Sequence, residues 1–383
     1  MTRIAYAHDG ANEYDSFFLD FLARNNVVFF LTFYPSPHFV SQKSILVKMP
    51  RILSAPTDKA EGLYMYSLFP LRAFLLKLYF RVLKPDVALG CLATKYGFYT
   101  ALTGFKPFIL IIWGSDILIA PRRFFLFRLM AQYALKKADV VIVDSQVQEN
   151  AVLQLGCKKE RIFKFPWFDL DDVRPTHSRA EIRNQLGWQD NLIVISLRRH
   201  EPIYGIEYLI EAMPHIVREV PDVRFLILSK GQLTEKFKQR VSELRMDNHV
   251  KFVGHVPRWE VATYLNAADI YVSTSLSDGT SAGLLEAMAL KVPGVVTDIS
   301  GNREWIKDRQ NGFLAPTRNP QELCKSIVLL AKSNHLRREI GEKAFATVTS
   351  KVDWTKNSEN LNNLILRLVS ENQIRSPKDR NIS

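Results

Sequence analysis

Short apolar runs of strand character recur along this chain, each followed by a stretch long enough for a helix, and the rhythm breaks off once and restarts. Strands that are apolar on both sides must be covered on both faces, and a parallel sheet flanked by helices meets that requirement. The first series reads Ile4–Ala7, Val27–Thr32, Val87–Leu89, Phe108–Ile112 and Val140–Val143, with a helical pattern through Phe17, Phe18, Phe21 and Leu22 after the first strand. The second reads Leu192–Leu197, Val223–Leu228, Val250–Val253, Ile270–Ser273 and Gly294–Val296, with helices expected over Ile206–Val217, Thr234–Leu244 and Ala282–Ala289. Between them the polar, acidic stretch Asp169–Arg183, with Pro175 inside it, reads as an interdomain linker. At roughly 100–200 residues per domain, a chain of 383 residues accommodates two doubly wound domains, with ligands expected in a cleft between their strand carboxyl ends. The halves differ in substance, because 19 of the 24 Phe precede Pro175.

Composition narrows the function classes. Hydrophobic residues at 47% and charged residues at 23% describe an ordinary globular protein and exclude a disordered or collagenous one. Cys91, Cys157 and Cys324 lie far apart with no second Cys or His at metal-ligand spacing, which argues against a disulfide framework or a zinc site. The opening residues lack the basic start and apolar run of a signal peptide, so a cytoplasmic protein is expected. The net charge of +12 calls for an anionic partner without naming it. No nucleic-acid recognition module is visible, so nucleic acid is not expected among the partners. Leu63–Lys84 and Ile117–Lys137 combine apolar and basic character. Pro70, Arg72, Lys77 and Arg81 interrupt the first, and Pro121, Arg122, Arg123 and Arg128 the second, so neither reads as a membrane span. Two readings stay open: attachment to a membrane surface, or core helices whose basic residues reach out to water.

The stretch Ser273–Asn302 carries the most chemistry. A strand ends, the small polar loop Ser277-Asp278-Gly279-Thr280-Ser281 follows, and a helix begins. Backbone N–H groups at such a helix start hold phosphate, Gly279 permits close approach, and Thr280 or Ser281 can cap the helix. Asp278 and Glu286 stand eight residues apart, and carboxylates so placed are acceptors for vicinal hydroxyl pairs. Asp9-Gly10 lacks the full Gly-x-Gly-x-x-Gly pattern, which argues against a bound dinucleotide.

With these residues the chain resembles the retaining glycosyltransferases of family 4, or glycosyltransferase group 1, which have the GT-B fold. The resemblance rests on Asp278-x7-Glu286 with the Glu-Ala-Met-Ala that follows, Pro293, Gly301-Asn302-Arg303-Glu304 and Asn311-Gly312. It extends to Val250–Val256, Val173-Arg174-Pro175, Trp113-Gly114-Ser115-Asp116 and Trp354, and spans most of residues 1–370. It implies that Glu286 grips the donor ribose and that Asp278 contacts the transferred sugar. Gly279, Thr280 and Ser281 would hold sugar and diphosphate, while Gly254, His255 and Val256 would flank the base, His255 through its backbone. Where the family carries arginine and lysine for the diphosphate, this chain reads Leu197-Arg198-Arg199-His200-Glu201-Pro202-Ile203-Tyr204-Gly205, with Tyr204 in the lysine position. Arg198 and Arg199 are the candidate replacements, and Lys230 is a further one. Asp278 replaces the more common glutamate, and Trp113 stands where many relatives have histidine. His8, Gly10 and Trp113 are expected on the acceptor side, with Asp116 as an acceptor or sugar contact.

The resemblance thus implies an α/β GT-B chain, two doubly wound Rossmann-like domains facing each other across a cleft. Residues 1–172 would form the acceptor side, 173–352 the nucleotide-sugar domain, and 353–383 a helix crossing back to the first domain, then a tail. The implied activity is retaining, metal-independent transfer from a nucleotide-diphosphate sugar, UDP- or GDP-linked, to a glycan or lipid-linked saccharide, with no other cofactor. The place expected is the cytoplasm, with peripheral contact to the anionic cytoplasmic membrane face. Tyr204 and Trp113 motivate an alternative, a catalytically degenerate GT-B protein that binds nucleotide sugar or a partner enzyme without turnover.

Overall fold

The computed structural model describes residues 1–8, 13–33, 43–50 and 68–375. The chain divides into two units, Met1–Phe165 with Thr355–Ser383, and Pro166–Trp354.

The first unit is built on seven parallel strands: β1 (Thr2–Ala7), β2 (Asn26–Thr32), β3 (Ile45–Lys48), β4 (Val87–Cys91), β5 (Phe108–Ile111), β6 (Val140–Val143) and β7 (Ile162–Lys164). Their order is β3-β2-β1-β4-β5-β6-β7. β1 sits inside the sheet, with Ile4 opposite Val28 on one side and Val87 on the other. Strands β4, β5 and β6 are buried at every position, as two-sided cover requires. Ala5, Phe29 and Ala88 share one sheet face, because they are register partners across β1, β2 and β4. Over this part of the face the core is aromatic, with Phe33, Phe80, Tyr96, Phe98 and Tyr99. Over β5 and β6 it turns largely aliphatic, with Leu110, Ile117, Leu135, Val141 and Val152. Part of the Phe excess of the first half lies in this half-layer, with Phe29, Phe33, Phe80 and Phe98 buried and Phe69, Phe105 and Phe127 packed against them, and each buried ring contributes about 1.5–3 kcal/mol. The final helix, Trp354–Arg375, belongs to this unit, with Leu361 and Ile365 buried and Asn372 donating to the Lys106 carbonyl at 3.3 Å.

The second unit repeats the plan with β8 (Leu192–Ser196), β9 (Val223–Leu228), β10 (Val250–Gly254), β11 (Ile270–Ser273), β12 (Gly294–Thr297) and β13 (Phe313–Ala315), ordered β10-β9-β8-β11-β12-β13. Both sheets wind outward from their first strand and then cross to its other side. Neighbouring loops therefore leave in opposite directions between β1 and β4 and between β8 and β11, which opens a crevice at the carboxyl ends of those strands.

The stretch Asp169–Arg183 is not an open linker. Its end forms the helix Arg179–Leu186, started by a capping box in which the Ser178 hydroxyl accepts from the Glu181 N–H and the Glu181 carboxylate accepts from the Ser178 N–H. Arg179 and Arg183, one turn apart, share a helix face and both bind Asp269, at 2.5 and 2.6 Å. Asp269 also accepts from the Ile193 N–H, so the helix is locked to the start of β8. Removing Asp269 leaves a mostly buried Arg183 without its carboxylate. Asp269→Ala is expected to cost about 3 kcal/mol in urea unfolding; a loss below about 1 kcal/mol would mean that the pairs behave as solvent-exposed ones.

Candidate active site

Two loops meet at the crevice of the second sheet. The loop after β8 brings Arg198, and the loop after β11 brings Asp278 and Ser281. Arg198 donates to Asp278 Oδ2 at 2.5 Å and to Ser281 Oγ at 3.0 Å, and its guanidinium lies over the Tyr204 ring at 4.2 Å from the centroid. Only 12% of the Arg198 side chain and 20% of Asp278 are exposed, so the guanidinium is held in place before any ligand arrives. Backbone contacts lock the same loops together: Leu276 N–H donates to the Ile203 carbonyl at 2.8 Å, and the Thr274 hydroxyl to the Tyr204 carbonyl at 3.1 Å. Gly205 takes a left-handed φ of 57°, and a Cβ there would meet the Thr274 carbonyl oxygen at 2.5 Å. Gly301 is equally constrained, because a Cβ would overlap the Gly279 carbonyl oxygen.

Ser281 caps the helix Ala282–Ala289, its hydroxyl accepting from the Leu284 N–H as well as from Arg198. Glu286 lies inside that helix and is 6% exposed. Burial pushes its carboxyl up to about 7, Arg258 opposes the rise, and Asp172 adds to it. Arg258 in turn binds Asp172 at 3.3 Å. Neither Arg258 nor Asp172 stands out in the sequence, since 86 residues separate them and no local pattern joins them. His200 is a third supporting residue beyond the sequence reading. It is fully buried, with Nε2 at 3.2 Å from the Leu228 carbonyl and Nδ1 at 2.8 Å from the Thr234 hydroxyl. A carbonyl only accepts, so Nε2 carries the proton, and burial pushes the ring pKa down.

The remaining expected residues of this unit are spread around that centre. Arg199, next to Arg198, turns outward, 70% exposed and 3.9 Å from Glu201. Lys230 is exposed, and its carbonyl accepts from the His200 N–H. Gly279 is buried and Thr280 half-buried beside Asp278. Gly254, at a φ of 86°, gives its carbonyl to the Ser229 N–H; His255 is exposed, and Val256 packs into the core.

In the first unit, His8 after β1 stacks on Trp113 after β5, with ring centroids 5.2 Å apart and an interplanar angle of 12°. Asp116 is buried, and its carboxylate accepts from the Ala93, Trp113 and Gly114 N–H groups at 2.7, 3.1 and 2.9 Å. It thereby ties the loop after β4 to the loop after β5. Burial raises its pKa against the lowering effect of those N–H donors. Gly10 lies outside the described residues.

Residues 178–347 match the family described as glycosyl transferases group 1, and residues 62–145 match the glycosyl transferase 4-like family. Over residues 178–347 the chain is similar to the group 1 glycosyltransferases. It is 26% identical over 220 residues to the poly(ribitol-phosphate) alpha-N-acetylglucosaminyltransferase of Staphylococcus aureus, covering 57% of this chain and 44% of that protein. It is 26% identical over 251 residues to the amylovoran biosynthesis glycosyltransferase AmsK of Erwinia amylovora, covering 63% of this chain and 59% of the relative. The chain spans 44% to 60% of the length of the first curated relatives it matches. Among solved structures, HepE of Anabaena with UDP-glucose superposes with a TM-score of 0.77 at 19% identity, over 96% of this chain and all of that one. Sucrose-phosphate synthase of Thermosynechococcus elongatus superposes with a TM-score of 0.80 at 18% identity, over 97% and 100%. The fold is GT-B, two Rossmann-like units with parallel sheets.

The Glu286 carboxyl has a pH signature of its own. With a folded pKa of about 7 against 4.5 when free, the folded chain keeps a proton that the unfolded chain has lost in between. Its contribution to stability is therefore full below about 4.5 and declines as pH rises through about 7. Glu286→Gln cannot ionise, so its stability relative to the parent chain should grow between about pH 5 and about pH 8 in urea titrations. A difference independent of pH would mean that the carboxyl is well hydrated.

Proposed function

We propose that the chain is a retaining glycosyltransferase that moves a sugar from a nucleotide-diphosphate donor, UDP- or GDP-linked, to a glycan or lipid-linked saccharide in envelope polysaccharide or glycoconjugate synthesis. The observation that carries this reading is Arg198, held by Asp278, Ser281 and the Tyr204 ring at the start of the helix that contains Glu286. Transfer from a nucleotide sugar leaves a diphosphate, whose charge needs donors already in position. Arg198 and the N–H groups of Gly279, Thr280 and Ser281 supply them, so the reaction needs no metal for that purpose. On donor entry the diphosphate takes over the Arg198 guanidinium, and Asp278 is released to accept from the sugar hydroxyls. Glu286 accepts from the ribose hydroxyl pair and does so as a carboxylate, which ties donor binding to its deprotonation. In line with the family resemblance, the leaving phosphate oxygen takes the acceptor proton on the same face of the sugar, and the anomeric configuration is retained.

On the acceptor side, the Trp113 ring stacked on His8 offers an apolar surface for a sugar, and Asp116 keeps its loop in shape. The UDP-glucose in the HepE complex supports a UDP-sugar, and the name of the Staphylococcus aureus relative supports transfer of a sugar to a polymeric acceptor. The amylovoran relative supports a polysaccharide product. A lipid-linked acceptor is held in a membrane, which supports a cytoplasmic chain peripheral to it.

A donor-hydrolysis and thermal-shift panel of UDP-, GDP- and ADP-sugars tests the proposal. Hydrolysis or stabilisation by one donor, lost in Glu286→Ala, is the expected result; binding without turnover over a panel of acceptors would favour the degenerate alternative. Within the same panel, Arg198→Ala should lower kcat/KM by about a hundredfold or more, whereas Arg199→Ala should stay within about threefold. Equal effects would remove Arg198 from its role at the diphosphate.

A further inference from the structure

We infer that one face of the first unit is a docking surface for an anionic lipid bilayer, formed by the outer sides of the helices Phe69–Leu83 and Phe125–Lys137. The inference rests on the membrane-peripheral part of the proposed function and deepens it by naming the surface; it is tested without turnover, so its failure leaves the transferase reading standing. Both helices bury an inner face, Ala73, Leu76 and Phe80 on one and Met130, Ala131 and Ala134 on the other. That accounts for part of their apolar content and leaves the outer part exposed, with no cover among the described residues. Nine of the sixteen exposed large hydrophobics among the described residues lie on these two helices and the residue before the second. Leu71, Phe74, Leu78 and Val82 recur at i, i+3, i+7 and i+11, so they form one outward stripe. Phe74 is 57% exposed and Val82 78%. On the second helix, Phe125 is 74% exposed and Leu126 and Leu129 follow on the same broad face. Phe98 joins the two helices, with ring centroids 5.6 Å from Phe69 and 5.8 Å from Tyr133.

Charge selects the occupant. Residues 68–137 contain eleven Lys and Arg against two acidic residues. Neither acid serves the outer face: Asp86 accepts from the Arg3 N–H, and Asp116 is buried on backbone amides. Lys77 and Arg81 border the first stripe, and Arg122, Arg123 and Arg128 surround the start of the second, all exposed. Apolar side chains at interfacial depth ringed by ammonium and guanidinium groups match an acyl boundary beneath anionic headgroups. A second copy of the chain would bring the same positive ring against itself, which charge opposes. No helix among the described residues is long and apolar enough to cross a membrane, so the attachment is to the surface.

The test is flotation of the full chain with phosphatidylglycerol–phosphatidylcholine vesicles and with phosphatidylcholine vesicles alone, at low and high salt. Binding is expected to the anionic vesicles and to weaken with salt. The pair Phe74→Ser and Phe125→Ser, and separately the triple Arg122→Glu, Arg123→Glu and Arg128→Glu, should each reduce it by about tenfold or more. All these side chains are exposed, so both variants should keep the parent melting temperature and nucleotide-induced stabilisation. Failure of the parent chain to float, or equal flotation of both variants, would overturn the inference. So would a self-associated species in sedimentation that the Phe substitutions dissolve while vesicle binding is unchanged, since the face would then be an interface between copies.

Discussion

The ion pair between Arg198 and Asp278 joins loops that leave adjacent strands in opposite directions. Without a tie of this kind, a crossover between β8 and β11 produces a gap and nothing more. The pair is mostly buried, so either charge left alone would be expensive, and the two loops are in effect one object. Everything else in the site is arranged around it. Tyr204 covers the guanidinium from one side, the Ser281 cap presents the helix start from another, and Gly205 and Gly301 let backbone pass where a side chain would not fit. The loops of the first unit are tied by other means, a carboxylate collecting backbone N–H groups and a ring stack.

Much of this was legible in the sequence, for a physical reason. Central strands such as β6, β9 and β11 are apolar on both faces, and their runs stand out from any neighbour. The missed strands, β3, β7 and β13, are short and lie at sheet edges; β3 is exposed along most of its length and carries little of that signal. The loop–helix unit from Asp278 to Glu286 is contiguous in sequence, so its chemistry could be read directly. Which of two adjacent arginines faces inward could not, because the answer lies in Asp278 and Ser281, 80 and 83 positions away along the chain. The Arg258–Asp172 pair beside Glu286 is hidden for the same reason. The supposed linker misled by its polarity. Ser178 and Glu181 spelled a helix start, but the acidic and basic residues around them read as solvated until Asp269 was seen to collect two of them.

The difference in aromatic content also has a structural meaning. The second unit packs aliphatic side chains around its strands, whereas the first concentrates rings on one half-layer against β1, β2 and β4. The same two helices that press aromatic and aliphatic side chains inward carry further ones outward.

The Trp354–Arg375 helix has a consequence for how the chain is made. It buries Leu361 and Ile365 and belongs to the unit formed by the first 165 residues, although the whole second unit is translated between the two parts. The first unit to emerge during synthesis is therefore the last to be finished. The second unit, continuous in the chain, can close on its own as soon as it has left the ribosome. In the meantime the first unit holds its sheet without its final helix, and the apolar surface that the helix will cover stays open to chaperones or to wrong partners for the time needed to translate Pro166–Trp354.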